Sequence, residues 1–416
     1  MKQTTDPSPP GRRATWSWIV YDLANTIFAL GVLGLYFPSW LTDAGLPDLA
    51  LSTVVSSSAV VVVFLAPWIG ARTDALNQRV RALVLTTLIA VGATATLASG
   101  PVWMSLLGLG VALIAFNTGS VVYDALLPEV STPADRGRVS GLGVGVGYVG
   151  SFVGLGIGAV VLEVLGGGYA AVFRSLAAGF LLFSIPIFIW VRERPRPVET
   201  PPRVRDMAVR IVGAWRLATR FPGMVRFLLG RFLYTDAINT LIGGFLAIYA
   251  IQELGLDPGQ TTTLLGVAIA AAIPGSIVAG RAVDRFGPLA VLKATLVTWI
   301  VALVVGVAAG TDGGTSFVAW LIAPLGGAAL GATWASDRVL MTELSPPEHL
   351  GEMYGLYATV GRFATILGPL IWGLIVDVMD LPRTWALGAL AVFVGVSLVV
   401  LSGLDRVRAP DEASSS

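Results

Sequence analysis

The chain contains one short stretch twice, first as Asp22-Leu-Ala-Asn25-Thr26 and again as Asp236-Ala-Ile-Asn239-Thr240, each inside a long apolar run. The separation of the two copies, called the repeat offset below, is close to half of the 416-residue chain. The same offset relates five further identical pairs, namely Glu129/Glu343, Ser131/Ser345, Pro133/Pro347, Gly141/Gly355 and Leu142/Leu356. The repeat predicts a tandem duplication of a multi-helix membrane unit. A carboxylate inside a membrane span costs roughly 2.5–3.5 kcal/mol on insertion scales, so its presence in both copies indicates a function.

The composition is that of a polytopic membrane protein. Hydrophobic residues make up 55% of the chain and charged residues 13%, and the mean hydropathy is +0.78; soluble domains carry about 25% charge. The formal net charge of +1 argues against a nucleic-acid partner. Cysteine is absent and His349 is the single histidine, which excludes the usual metal sites and catalytic triads. With no hydrolase, metalloprotease or phosphate-loop motif, we expect neither an enzyme nor a cofactor.

The predicted fold is an all-α membrane protein with twelve transmembrane helices in two six-helix repeats. An apolar segment of about 20 residues crosses a bilayer, and we place spans near 16–41, 50–70, 81–99, 102–126, 139–163, 171–191, 223–250, 261–281, 289–309, 316–340, 353–377 and 384–403. The predicted units are a tail (1–15), a six-helix bundle (16–191), a basic linker with a surface helix (192–222), a second bundle (223–403) and a second tail (404–416). Basic residues concentrate in the linker and the loops on its side, which predicts that both tails are cytoplasmic.

Two loops share a glycine–carboxylate pattern followed by basic residues. The loop after the second span contains Gly70 and Asp74 with Arg79 further on, and the loop after the eighth span contains Gly280, Asp284 and Arg285. A carboxylate at such a position can dock on the N-terminus of a neighbouring helix, which carries partial positive charge. We therefore expect a latch that closes the cytoplasmic face; the alternative is a solvated loop charge.

These loops resemble the cytoplasmic signature of the major facilitator superfamily, although the first copy has Ala75 and Asn77 where the signature has arginine and glycine. The stretch from Tyr123 to Ser131, together with Tyr21–Thr26, resembles the vacuole-effluxer-like branch, relatives of the autophagy-related vacuolar amino-acid effluxer. Six predicted spans in each half, an even number, give both halves the same orientation, which is the parallel-repeat arrangement of this superfamily. We group Asp124 and Glu129 of this stretch with the gating residues. The same stretch is also similar to sugar:cation symporters, so the substrate class stays open.

Asp22, Asn25 and Thr26 lie at positions i, i+3 and i+4, on one helix face, and so do Asp236, Asn239 and Thr240. The resemblance implies that the first and seventh helices line a central cavity, so the repeat would supply two facing clusters. Carboxylates there could bind a proton or a cation, and the amide and hydroxyl groups could bind a polar substrate. The alternative is structural, with each aspartate capping a helix or pairing with an arginine, such as Arg231, Arg12 or Arg13.

Arg362 lies about ten residues inside the eleventh predicted span, where an arginine normally faces a cavity or a carboxylate. It is a candidate anchor for an anionic group, such as a substrate carboxylate. The alternative is a pair with Asp236 or Asp22 that breaks and re-forms during transport.

The resulting expectation is a secondary active transporter that moves a small polar solute by alternating access. Amino-acid export is favoured by the resemblance, and a proton or a monovalent cation is the candidate coupling ion. We expect a monomer in the lipid bilayer of the plasma membrane. The alternatives are a sugar:cation symporter and a non-transporting receptor or assembly factor built on a transporter scaffold.

Overall fold

The structure is a computed structural model that describes residues 11–46, 48–195, 198, 200–203, 207–256, 258–311 and 316–404. The described part of the chain is helical and contains no strand. The helices before the linker are α1 (Arg12–Thr26), α2 (Phe37–Asp43), α3 (Asp48–Leu76), α4 (Arg79–Ala95), α5 (Val102–Asp124), α6 (Leu127–Val130), α7 (Arg136–Ala159) and α8 (Tyr169–Trp190). A π-helical stretch, Ile27–Tyr36, joins α1 to α2.

The remaining helices are α9 (Met207–Ala218), α10 (Met224–Thr240), α11 (Leu246–Gln252), α12 (Pro258–Phe286), α13 (Pro288–Thr311), α14 (Ser316–Leu344), α15 (Leu350–Phe363), α16 (Leu367–Gly373) and α17 (Arg383–Ser402). Within the described residues, nine helical segments are long and apolar enough to cross a bilayer. Helix α9 lies in the linker, where the sequence predicts a surface helix. Helix α1 already begins at Arg12, inside the predicted tail 1–15, because arginine and alanine are good helix formers and Gly11 stands just outside as the N-cap.

The repeat offset also relates features of the backbone. The π-helical stretches that follow the two motif copies start at Ile27 and Leu241, and two others span Val160–Val164 and Leu374–Val378. Both pairs are separated by the repeat offset. In each motif copy the threonine hydroxyl donates to the carbonyl four residues earlier, at 2.8 Å for Thr26 and 2.7 Å for Thr240. Such bonds compete with the helical ladder and bend helices, and π-helical turns concentrate at functional sites.

Helix α7 and the pair α15–α16 occupy equivalent positions in the repeat, but only the second is interrupted by a break. Helix α7 runs without interruption to Ala159, whereas α15 ends at Phe363 and α16 begins at Leu367. Pro369 favours the break, because in a continuous helix its ring would clash with the carbonyl four residues earlier. In the first turn of α16 that clash does not arise. The equivalent residue of α7, one repeat offset earlier, is Leu155. Other helices of this structure continue through an internal proline, such as Pro67 in α3 and Pro274 in α12.

Glycines allow the two halves of the chain to touch. Helix α7 packs on α12, and α3 packs on α15. A Cβ atom added to Gly70 would lie 2.1 Å from the carbonyl oxygen of Gly351, and one added to Gly280 would lie 2.5 Å from that of Gly137. Close backbone approach through small residues is the usual means of helix association in membranes. Both loop motifs therefore begin at a point of helix contact between the halves.

Candidate functional site

An arginine from the second half of the chain binds two aspartates of the first half. Arg338, in α14, places Nη1 3.3 Å from Oδ2 of Asp22 in α1 and Nε 3.1 Å from Oδ1 of Asp124, the last residue of α5. The three side chains are only 12%, 13% and 18% exposed. Removing one partner of a buried ion pair leaves an uncompensated charge and costs about 3–5 kcal/mol. This cluster therefore ties the two halves together inside the membrane-spanning region.

Aromatic side chains wall this ion cluster. Trp18 and Tyr123 stack with their ring centroids 4.6 Å apart, and Trp18 Nε1 donates to the Tyr123 carbonyl at 3.1 Å. The Tyr123 hydroxyl donates to the Trp18 carbonyl at the same distance. The Arg338 guanidinium lies 5.3 Å from the Trp18 ring and 5.6 Å from the Tyr123 ring, within the range of cation–π attraction. The rings hold the guanidinium where it reaches both carboxylates.

A second ion pair lies directly beside the first. Asp337, fully buried, pairs with Arg231 of α10 and accepts hydrogen bonds from Tyr234 at 3.0 Å and Tyr357 at 2.9 Å. The Arg231 guanidinium also lies 3.4 Å from the Tyr357 ring centroid. Arg231 is therefore not the partner of Asp236 that one sequence hypothesis proposed, and that hypothesis is wrong. Arg12 and Arg13 likewise form no pair with Asp22, whose partner is Arg338.

The second motif copy packs against the break between α15 and α16. Asp236 is fully buried, and no described residue makes a hydrogen bond of good geometry to either carboxylate oxygen. The carboxylate lies near the backbone amides of Ile366, Leu367 and Gly368, at the start of α16. A Cβ atom on Gly368 would lie 2.9 Å from Asp236 Oδ2 and 2.0 Å from Thr240 Oγ1, so the contact requires glycine.

The two motif amides also differ. Asn239 donates to the carbonyl of Ala364, inside the break, at 3.1 Å. Asn25 is half-buried and makes no side-chain hydrogen bond with the described residues. The two carboxylate–amide–hydroxyl clusters are therefore not equivalent, since one belongs to an ion pair between the halves and the other to a helix break.

Arg362 is one residue from the end of α15. Its Nε is buried without an acceptor, and the side chain forms no ion pair with a described residue. The predicted pair with Asp236 or Asp22 is therefore not formed. The equivalent position in α7, one repeat offset earlier, is Tyr148.

Each loop carboxylate contacts the first turn of a helix in the other half. Asp74 Oδ2 accepts the backbone N–H of Glu352 at 3.0 Å, near the start of α15. Asp284 accepts the N–H groups of Gly137 at 2.7 Å and Arg138 at 2.9 Å, in the first turn of α7. The first N–H groups of a helix have no partner within it, so a carboxylate satisfies them and gains from the helix dipole.

The basic residues of the two loop motifs have different surroundings. Arg79 is 1% exposed, donates to Asp74 Oδ1 at 3.0 and 2.5 Å, and lies 3.7 Å from Glu129 Oε1. Arg285 lies 5.2 Å from the Phe286 ring instead. Asp124, which the sequence grouped with the gating residues, belongs to the Arg338 cluster, because the end of α5 lies beside α1 and α14. Glu129 remains with the loop residues, where Arg194 also contacts it at 3.6 Å.

Sequence reasoning missed Asp337 and Arg338. A signal was present, because these adjacent charges lie in an apolar helix one repeat offset after Tyr123 and Asp124. A comparison of identical residues passes over them because the residue types differ. Among the described residues, no three His, Cys, Asp or Glu side chains are grouped so that they could hold a metal ion.

The nine long apolar helical segments of the described residues indicate a multi-pass membrane protein, and charge clusters connect its two halves. The chain belongs to the family described as "Vacuole effluxer Atg22 like", whose model matches residues 50–414, and thereby to the major facilitator superfamily. It is a secondary transporter of small molecules and not an enzyme.

The sequence relatives agree with this assignment. The chain is 26% identical to an uncharacterized MFS-type transporter, YxiO of Bacillus subtilis, over 96% of this chain and 95% of the relative. It is 28% identical to Autophagy-related protein 22-2 of Sclerotinia sclerotiorum over 67% of this chain and 45% of the relative. The chain thus spans about half the length of this fungal relative.

Solved structures show the same fold. The human organic anion transporter MFSD10 (TETRAN) matches with a TM-score of 0.75 at 19% identity, covering 95% of this chain and 100% of that one. The proton:xylose symporter XylE, bound to 6-bromo-6-deoxy-D-glucose, matches with a TM-score of 0.71 at 13% identity, covering 94% of each chain. At these identities the likeness concerns the fold alone.

Proposed function

We propose that the protein exports an amino acid or a similar small polar solute by alternating access between two six-helix halves. The proposal includes twelve spans, parallel repeats separated by the repeat offset, and cytoplasmic termini. The observation that carries it is the ion cluster of Arg338 with Asp22 and Asp124. These residues join the two halves inside the membrane, so the halves must break the cluster in order to separate there.

The loop carboxylates are the second part of the proposal. Asp74 and Asp284, each docked on a helix of the other half, form what we call the cytoplasmic latch. With the latch closed, the halves meet on the proposed cytoplasmic side. Opening toward the cytoplasm then requires both carboxylates to leave the helix N-termini. The non-transporting alternative needs no such movement.

The difference between the two motif copies supports Asp236 as the coupling site. Asp22 is paired with Arg338, whereas Asp236 has no cationic partner among the described residues. A buried carboxylate without a partner is costly, and binding a proton or a monovalent cation removes that cost. Arg362, which lacks a carboxylate partner in the described part of the chain, is the proposed anchor for an anionic group of the substrate.

We propose a monomer in the plasma membrane.

A flux assay with the purified chain in liposomes tests the proposal. A panel of radiolabelled amino acids and sugars should identify a substrate, with amino acids competing more strongly than sugars. Preferential sugar uptake would favour the sugar:cation symporter instead. Absence of flux for the whole panel, from protein that remains folded, would count against transport of these solutes.

A cross-link tests alternation separately. The chain has no cysteine, so Gly145→Cys/Ser276→Cys would introduce a single pair between α7 and α12. A Cβ on Gly145 lies 2.9 Å from Ser276 Oγ, which suits a disulfide between the halves. Oxidation should stop flux and reduction should restore it, whereas each single variant should be insensitive to oxidant. Unchanged flux in the fully oxidised protein would contradict alternating access at this contact.

A further inference from the structure

A basic groove with tryptophan walls lies between the start of α1 and the end of α8. It has a volume of about 370 Å³, and its lining includes Arg12, Arg13, Trp16, Pro186 and Trp190. The two tryptophans are 50% and 44% exposed. Helix α1 starts the first span and α8 ends the sixth, so this groove lies at one edge of the membrane. Tryptophan is enriched at that depth, because its indole N–H can face the headgroups while the apolar part of the ring contacts the acyl chains.

The charges of this groove have no partner in the described part of the chain. Arg12 and Arg13 are exposed, and neither forms an ion pair with a described residue. The first turn of α1 contains no acidic residue, and its N-cap, Gly11, provides no side-chain hydrogen bond. Two guanidinium groups beside an uncapped helix N-terminus therefore favour an anion with several acceptor oxygens, such as a phosphate group. The apolar and aromatic walls below them favour an acyl chain.

The other half has an equivalent groove that differs in its chemistry. It lies between α10 and α17, and its lining includes Arg226, Leu229, Val400 and Gly403. The repeat offset relates Arg12 to Arg226 and Pro186 to Val400. Here the arginine is already engaged, because its Nη1 donates to the Gly403 carbonyl at 2.6 Å. The positions that match Trp16 and Trp190 are Gly230 and Leu404, so this groove lacks both tryptophans and has Phe221 as its aromatic residue.

We propose that the α1–α8 groove binds an anionic phospholipid. Arg12 and Arg13 bind the headgroup phosphate, and Trp16 and Trp190 contact the glycerol backbone and the upper acyl chain. Charge complementarity identifies the occupant, because an anionic headgroup neutralises one of the two arginine charges, whereas the ammonium group of a zwitterionic headgroup would add a third positive charge beside them. The α10–α17 groove, with one engaged arginine, shows no such preference. This site is separate from the proposed transport site and does not depend on the substrate.

Native mass spectrometry of the full chain, with added dioleoyl phosphatidylglycerol or dioleoyl phosphatidylcholine, tests the proposal. The unmodified chain should retain phosphatidylglycerol preferentially. Arg12→Gln/Arg13→Gln should weaken that binding by on the order of 10- to 30-fold, from the attraction of two arginines to an anionic surface. Arg226→Gln, the matched control in the other groove, should change it less than about twofold.

Three results would overturn the proposal. They are unchanged phosphatidylglycerol binding by the double variant, an equal loss in Arg226→Gln, or equal retention of both lipids by the unmodified chain. Competition by millimolar inorganic phosphate would assign the arginines to a free anion and also contradict a lipid site. Trp16→Ala provides a second measurement, because it should weaken lipid binding without removing charge. Since the altered side chains are exposed, thermal unfolding in detergent should stay unchanged and thereby exclude misfolding.

Discussion

The two copies of the repeated motif have the same local structure but different partners. In both, the threonine bonds to the carbonyl four residues earlier and a π-helical stretch follows. Asp22 lies beside the continuous helix α7 and pairs with Arg338 of the other half. Asp236 lies beside the break between α15 and α16 and has no cationic partner among the described residues. The copies therefore share their helix geometry, while the neighbouring helices give each one different electrostatics.

This difference suggests a division of roles. A carboxylate paired with an arginine of the other half keeps that partner only while the two halves are in contact. A buried carboxylate without a cation can change its charge by binding one. The cause lies outside the motif itself, in Arg338 for the first copy and in Pro369 for the second. Variants around both copies, taken from the largest expected effect to the smallest, test this division.

Arg338→Gln should have the largest effect. It leaves Asp22 and Asp124 unpaired in a buried site, so we expect a loss of about 3–5 kcal/mol in stability and no measurable flux. Thermal unfolding in detergent and liposome flux measure the two effects. Arg220→Gln, at an exposed arginine of the linker, is the control and should be nearly neutral.

A triple variant separates stability from transport in this cluster. Adding Asp22→Asn and Asp124→Asn to Arg338→Gln removes all three charges, so stability should largely return while flux stays absent. Wild-type flux by the triple variant would show that the cluster is only structural.

A comparison of Asp236→Asn with Asp22→Asn should distinguish a role in ion coupling from a role in the contact between the halves. Asp236→Asn removes the proposed ion-binding group, so accumulation driven by an ion gradient should be lost while exchange of labelled for unlabelled substrate persists. Asp22→Asn leaves Arg338 paired with Asp124, so it should reduce both activities together. Full gradient-driven accumulation by Asp236→Asn would reject it as the coupling site.

Gly368→Ala and Gly154→Ala compare the helix surfaces that face the two motifs. A Cβ on Gly368 would lie 2.0 Å from Thr240 Oγ1, whereas one on Gly154 would lie 3.0 Å from the nearest atom, the Ile27 carbonyl oxygen. Overpacking should cost about 1–3 kcal/mol in Gly368→Ala and less in Gly154→Ala. Adding Thr240→Ala to Gly368→Ala should recover part of the lost stability. Equal losses of stability in the two single variants would contradict the proposed difference between the two helix surfaces.

Within the cytoplasmic latch, the smallest effect is expected at Asp284. Asp284→Asn weakens two helix N-terminal hydrogen bonds and should cost about 1 kcal/mol, a typical capping contribution. Asp74→Asn should cost more, up to about 3–5 kcal/mol, because it also leaves the buried Arg79 with Glu129 as its remaining carboxylate, at 3.7 Å. Single-molecule fluorescence across the cytoplasmic ends should show more open molecules in both variants. An unchanged distribution would indicate that the contacts do not hold the gate.

Much of the fold could be predicted from the sequence. The described helices coincide with predicted spans to within several residues, and α9 lies where a linker helix is predicted. The contact of Asp74 and Asp284 with helix N-termini also follows from local chemistry, because any helix start presents free N–H groups. The partners of the buried charges did not follow. The sequence reasoning considers Arg231, Arg362, Arg12 and Arg13 as partners for the two aspartates and misses Arg338, which is the partner of Asp22 in the structure.

By itself the sequence determined the class of protein, the repeated motif and the side chains that carry charge into the membrane. Apolar length and the repeat offset are properties of the chain, and they hold whatever the helices pack against. Only the tertiary structure decided that Asp22 meets Arg338, that Asp337 takes Arg231 and that Asp236 faces a helix break. Ion pairing depends on distances of a few ångströms between helices far apart in the chain, and those distances are set by glycine contacts and by the break at Pro369.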